Sequence, residues 1–256
     1  MGILQFNGTS NYLKWDTLSE DLRNLPTAEW TLLFGVRHIT NLNGWQGYGY
    51  LLSGTGNGLS QVGLSKSTNG GHDLYCDREA PAGSGFSWAS LDPALNQDTL
   101  YVASKAAGSA TANASKKVGS AGAWTHAAAT STGGNGLAAD QLQIGAWQLS
   151  TIDLMKGYIA IVAMWNVELS QAQRAACGAN WRTSDIWNAH PTPPLLLMEC
   201  NVAKASLVNL GTASISGQSS NGVTVSTQTF GSWNFDGIGT PAVSVICTGD
   251  FPNELH

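Results

Sequence analysis

Charge is scarce in this chain: only 11% of its 256 residues are Asp, Glu, Lys or Arg, against about 25% in an average soluble domain. With 12 Lys plus Arg, 17 Asp plus Glu and a net charge of −5, it lacks the basic footprint of a protein that grips phosphate backbones, so nucleic acid is not an expected partner. The one basic cluster, Lys105 with Lys116 and Lys117, falls in a small-residue stretch and reads as a solvated loop. Long apolar runs are missing too: nothing approaches the roughly 20 residues that cross a bilayer, and membrane insertion is not expected. Residues 1–8 have no basic start, apolar core or small-residue cleavage site of a secretory leader. Phe6 stands where myristoylation needs Ser or Thr. The reading is of a soluble protein made in a cytoplasm.

Several chemistries lack their motifs. Cys76, Cys177, Cys200 and Cys247 form no CxxC pair and have no His at ligand spacing. Their wide separation favours buried thiols over disulfides, and no metal site is expected. His38, His72 and His190 likewise show no ligand spacing. No GxSxG surrounds a serine, so His126 reads as a strand histidine in a polar network. Glu20, Glu29, Glu79, Glu168, Glu199 and Glu254 stand singly, without the alternate carboxylates that line one strand in sandwich-fold glycoside hydrolases. Gly54-Thr55-Gly56-Asn57-Gly58 is a turn, because no strand-to-helix crossover follows it. The chain is therefore expected not to be an enzyme.

What is present is strand and turn. A hydrophobic share of 43% is enough to offset ordering entropy, and a β-sandwich of this length is commonly a single unit. Roughly 75% of the unfolded surface can be buried at this size, so no staple is needed. Asn-Gly pairs begin at Asn7, Asn43, Asn57, Asn69, Asn135 and Asn221, and both residues of that pair tolerate the positive φ of tight hairpins. Two segments dominate: 29–37, Glu-Trp-Thr-Leu-Leu-Phe-Gly-Val-Arg, and 157–170, whose stretch from Tyr158 to Trp165 is nearly all apolar and suits a strand covered on both faces. Other strands are expected at 3–6, 12–15, 30–38, 50–52, 61–64, 100–103, 124–128, 141–145, 195–198, 223–227 and 243–247. Ser170-Gln171-Ala172-Gln173 has the form of a capping box and predicts a short helix, with a second turn from Ser184 through Trp187 before Pro191.

In their order these segments resemble the laminin-G-like, concanavalin-A-like jelly rolls. Phe6-Asn7-Gly8-Thr9-Ser10-Asn11-Tyr12-Leu13 is similar to that family's opening block, Trp30 to Phe34 to its next core strand, Ala123 to Ala128 to its mid-domain Trp block, and Gly157 to Gln173 to its closing strand and short helix. The resemblance covers about residues 1–190. It implies an all-β, two-sheet antiparallel jelly-roll sandwich with one or two short helices near 170–188. Residues 191–256 are expected either to close the sandwich beside the N-terminal strand or to form an arm that docks on a neighbour. Calcium-binding members carry acidic residues where Ser10 and Asn11 stand here, so no cofactor is expected and calcium is doubtful.

Low charge with abundant Gly, Ala, Ser and Thr further resembles capsid decoration and minor tail proteins of bacteriophages. That implies a virion location, synthesis in a host cytoplasm, homo-oligomers and contacts with other virion proteins. The alternative is a carbohydrate-binding lectin module, and contact with a host surface glycan fits both. The candidate aromatics are Trp45, Tyr48 and Tyr50, set among glycines, and Trp88 in a similar stretch. Exposed on loops, such rings would stack on a sugar or a partner; alternatively Trp45 and Tyr48 pin their loop to the sandwich, and the same alternative applies to Trp88.

Overall fold

The computed structural model describes residues 3–39, 45–53, 59–66, 74–77, 85–92, 94–131, 136–146, 154–201, 206–221, 223–226, 230 and 233. Its strands are β1 (Ile3–Asn7), β2 (Tyr12–Leu18), β3 (Trp30–His38), β4 (Gln46–Ser53), β5 (Leu59–Lys66), β6 (Leu74–Asp77), β7 (Phe86–Trp88), β8 (Thr99–Lys105), β9 (Thr111–Val118), β10 (Trp124–Thr130), β11 (Gln141–Ile144), β12 (Lys156–Trp165), β13 (Leu196–Asn201), β14 (Ser206–Asn209), β15 (Ile215–Asn221) and β16 (Thr224–Ser226). Three short helices join them: α1 (Glu20–Asn24), α2 (Gln171–Ala176) and α3 (Thr183–Trp187).

The strands form two antiparallel sheets, and the molecule is a jelly-roll sandwich. The nine-stranded sheet runs β10-β9-β8-β3-β12-β1-β16, with β13 also on β12 and β14 on β13. The seven-stranded sheet runs β15-β2-β11-β4-β5-β6-β7. The two dominant sequence segments are direct neighbours, since β3 pairs with β12 from Gly157↔His38 to Trp165↔Thr31.

Strand periodicity explains why β3 needs apolar residues on both faces. Leu32, Phe34 and Val36 enter the core between the sheets, whereas Leu33 enters a second core on the outer face of the nine-stranded sheet, because successive side chains point to opposite faces. In β12 the alternation is interrupted by a register shift between Ile159 and Ile161. Ile159, Val162 and Met164 face the inner core, while Ala160, Ile161, Ala163 and Trp165 face the outer one. The extra residue is a bulge, and it stands where β12 exchanges one neighbour for another: Ile159 pairs with Leu4 of β1, Ile161 with Glu199 of β13. β13 and later strands enter both sheets, β16 beside β1 and β15 beside β2.

Helix α2 begins as its sequence predicts. Ser170 Oγ accepts from the Gln173 N–H and the Gln173 side chain accepts from the Ser170 N–H, completing the capping box. The turn between β1 and β2 is closed by Asn7 Oδ1, which accepts from the N–H groups of Thr9, Ser10 and Asn11, and Gly8 there takes a φ of 74°.

Two expectations are corrected. Lys105, Lys116 and Lys117 do not lie on a solvated loop; they sit in β8 and β9, with Lys105 and Lys117 buried. Lys117 Nζ donates to the Gly178 carbonyl at 2.7 Å while its charge lies 5.6 Å from the Trp181 ring centroid, so a carbonyl and an indole replace water. The strands β6, β7, β9, β14 and β15 and helix α1 were not expected from the sequence. The strand expected at 243–247 lies outside the described residues, as do all or part of the Asn-Gly turns other than that at Asn7.

Candidate functional site

Of the four candidate aromatics, the structure places three in the interior. Tyr48 and Tyr50 belong to β4 and Trp88 to β7, with exposures of 0%, 1% and 1%. Rings sealed at that level cannot stack on an external sugar, so the exposed reading of Tyr48, Tyr50 and Trp88 is corrected. Trp45, just before β4, is half-buried. The glycines that suggested a loop serve close packing instead. A Cβ at Gly49 would come within 2.7 Å of the Phe34 and Ile144 side chains, and one at Gly63 would strike the Tyr50 ring.

Tyr48 belongs to a buried polar set between the sheets. Gln46 Oε1 accepts from the Lys156 N–H at 3.1 Å and lies 3.2 Å from His38 Nδ1, while His38 Nε2 lies 2.7 Å from the Tyr48 hydroxyl. Because the Gln46 oxygen is an acceptor, the imidazole proton is assigned to Nδ1, and Nε2 accepts from Tyr48. Tyr101 stacks on Tyr48 at 5.8 Å between centroids. Burial, then the nearby Lys66, hold His38 neutral and lower its pKa to about 4. Burial likewise pushes the Tyr48 phenol well above its ordinary value. The set is satisfied and closed to solvent, so it joins the two sheets.

A second polar set lies on the outer face of the nine-stranded sheet beside α2. Arg174, buried at 4% exposure, donates from Nε to Ser115 Oγ at 3.0 Å and from Nη1 to Ser104 Oγ at 2.8 Å and the Leu169 carbonyl at 2.5 Å. Ser115 Oγ lies 2.8 Å from His126 Nδ1; having accepted from Arg174, it donates to the imidazole and leaves the ring proton on Nε2. Burial and then Arg174 lower the His126 pKa. His126 and Trp124 are half-buried neighbours on β10, their rings nearly coplanar at 10° and 6.4 Å between centroids. Ser115 is fully buried, so its hydroxyl orients His126 and is closed to substrate.

A third feature is open to solvent. Beside the end of α3 lies an open cleft of about 340 Å³ lined by Trp187, Asn188, His190, Pro191 and Pro193. Trp187 and His190 are half-buried and Asn188 is exposed. The Thr192 N–H donates to His190 Nδ1 at 2.9 Å. In contrast, a void between the sheets is about 10 Å³ and lined by apolar residues such as Leu4, Ile144 and Met198, room for no more than a water. The sequence marked this segment only by prolines that stop a helix, and Trp187 only as the end of a turn. Their convergence depends on the loop between α3 and β13, which no periodicity reveals.

Among the described residues, no group of three or more His, Cys, Asp or Glu is placed to hold a metal, and no helix is long and apolar enough to cross a membrane. Cys76 and Cys177 are buried, and burial raises the Cys177 thiol pKa. The Cys200 side chain and Cys247 lie outside the described residues.

No family model matches the sequence, and no curated protein matches it. Among solved structures, the chain is similar to a heptameric SAP-like pentraxin from Limulus polyphemus, with 11% identity and a TM-score of 0.52 over 70% of this chain and 82% of that one. It also matches NanB sialidase from Streptococcus pneumoniae, with 16% identity and a TM-score of 0.44 over 67% of this chain and 26% of that one. A third match is the enzymatically active domain of bacteriophage CBA120 tailspike protein 2, with 11% identity and a TM-score of 0.44 over 69% of this chain and 27% of that one. The likeness is one of fold, and the chain spans about a quarter of the sialidase and tailspike chains. The expectation that the chain is not an enzyme is corrected: chains named as a sialidase and as an enzymatically active tailspike domain are among the matches. A sandwich carries functional groups on loops as well as strands, so a missing strand motif does not decide the matter.

Proposed function

We propose that this jelly roll is a structural subunit of a virion, a capsid decoration or minor tail protein, that packs on neighbouring subunits through its sheet edges. One observation carries the reading. Among the described residues, the strands that end the two sheets are β7 (Phe-Ser-Trp), β10 (Trp-Thr-His-Ala-Ala-Ala-Thr), β14 (Ser-Leu-Val-Asn), β15 (Ile-Ser-Gly-Gln-Ser-Ser-Asn) and β16 (Thr-Val-Ser), and none contains a charged residue or a proline. Monomers commonly guard such edges with Lys or Pro, because unpaired N–H and C=O groups recruit further strands. Low overall charge removes repulsion between closely packed copies.

Light scattering on the purified chain tests the reading. A stable oligomer is expected, and Ala128→Lys, at an exposed position of β10, should shift it toward smaller species. A chain that stays monomeric at its highest soluble concentration, and does not co-sediment with virion proteins, removes the proposal.

A second reading, contact with a host surface glycan, is favoured by a separate observation. The cleft beside α3 joins an indole to polar groups at the surface, which is the composition that sugars are held by. The two readings are compatible in one virion protein.

A further inference from the structure

We infer that the cleft formed by Trp187, Asn188, His190, Pro191 and Pro193 is a binding site for a neutral sugar of one or two rings, an assignment that rests on the glycan reading above. Its volume of about 340 Å³ lies at the small end of ligand sites, roughly 300 to 1,000 Å³. Trp187 supplies a flat apolar surface for the C–H face of a pyranose. That ring stands on fixed ground, because Ile186 and Ala189 beside it are buried in the outer core. Pro191 and Pro193 fix φ along the wall, so little chain entropy is lost when a ligand settles.

The polar groups define the ligand's chemistry. With His190 Nδ1 accepting from the Thr192 N–H, the ring proton of the neutral imidazole resides on Nε2, a donor for a sugar oxygen. The exposed Asn188 amide supplies both donors and an acceptor. Among the described residues, no Lys, Arg, Asp or Glu lines the cleft. A sialic or uronic acid would therefore bring a carboxylate with no fixed cation to meet it, whereas a neutral hydroxylated ring matches a site of stacking and uncharged hydrogen bonds.

The test is a titration of the full chain with glucose, galactose, N-acetylglucosamine and their β-linked dimers, with sialic acid as acidic comparator, read by tryptophan fluorescence and by protein-observed NMR. At least one neutral sugar should bind, Trp187→Ala should weaken it at least tenfold and His190→Ala several-fold, and Trp124→Ala should leave it unchanged. If Trp187→Ala does not fold, His190→Ala on the half-exposed loop carries the comparison. Binding of sialic acid alone overturns the neutral class. Binding that is lost in Trp124→Ala and kept in Trp187→Ala overturns this site while leaving the glycan reading in place. Failure of every sugar overturns both.

Discussion

The nine-stranded sheet is covered on its two faces in different ways. Its inner cover is another sheet, hydrogen-bonded strand to strand and joined to it by the His38–Gln46–Tyr48 set. Its outer cover is two short helices and three separate aromatics: Trp181, with Phe230 stacked on it at 5.9 Å, and Trp233 edge-on at 5.2 Å. The inner cover spreads its loads over a continuous ladder. The outer one is held by discrete side-chain anchors, among them Arg174 to Ser104, Ser115 and Leu169, Lys117 to Gly178, Thr31 to Val167 and Leu169, Trp233 to Thr183 and Thr183 to Glu199. Damage inside should therefore unfold the molecule as a unit, and damage outside should open it locally. Both the edge β10 and the cleft beside α3 border the outer cover.

The largest effect is expected at Phe34, fully buried between the sheets with its ring 6.2 Å from that of Tyr48. Phe34→Ala leaves a cavity that two hydrogen-bonded sheets cannot collapse to fill, and should cost about 4 kcal/mol. Urea unfolding should show a lower midpoint and a single transition by both fluorescence and circular dichroism. Separate transitions would mean that the inner core is not one cooperative unit.

Next in size is the pH response of the sealed histidine. Folding lowers the His38 pKa from 6.5 to about 4, so the unfolded chain takes up a proton that the folded chain refuses. Stability is then fully present above about pH 6.5, falls as pH drops toward 4 and levels off below, for a loss of roughly 3 kcal/mol. His126 is shifted in the same direction, but it is half-exposed and should contribute less. His38→Gln should flatten most of this acid limb in a series of urea melts, and His126→Gln only a small part. Equal effects would show that sealing between the sheets is not what separates the two.

Much of the inner face was legible: β3 reads directly from its nearly continuous apolar run, Trp30 to His38, and β11 from the alternation of Leu142 and Ile144. The outer side was less so. In β9 the residues buried in the inner core are Ala112 and Ala114, and the outward ones include Ser115 and Lys117; alanines give little hydrophobic signal, and lysines bonded to carbonyls look like solvent-facing ones. The burial of Tyr48 was hard to read for a related reason. Gly47 and Gly49 around Tyr48 suggested a mobile loop, yet Gly49 is required by the approach of Phe34 and Ile144 to the backbone. A glycine imposed by packing and a glycine imposed by a turn are identical in a sequence. The cleft was hidden because Trp187, His190 and Pro193 converge through loop geometry.

The smallest effect separates the two covers most cleanly. Trp233 Nε1 donates to Thr183 Oγ1 at 3.3 Å, and Thr183 donates onward to Glu199 at 3.1 Å. Trp233→Phe keeps an aromatic ring against Trp181 and removes that one donor; Thr183 retains its bond to Glu199, so no buried hydroxyl is stranded. A long, neutral hydrogen bond contributes about 1 kcal/mol at most, and the midpoint of global unfolding should hardly move. Amide exchange should instead quicken in α3, at Ile186 and Trp187, while β3 and β8 keep their protection. Faster exchange in β3 as well would show that the outer aromatics are tied into the same cooperative unit as the inner core. Unchanged exchange in α3 would show that packing against Trp181, rather than the Thr183 bond, holds Trp233 in place.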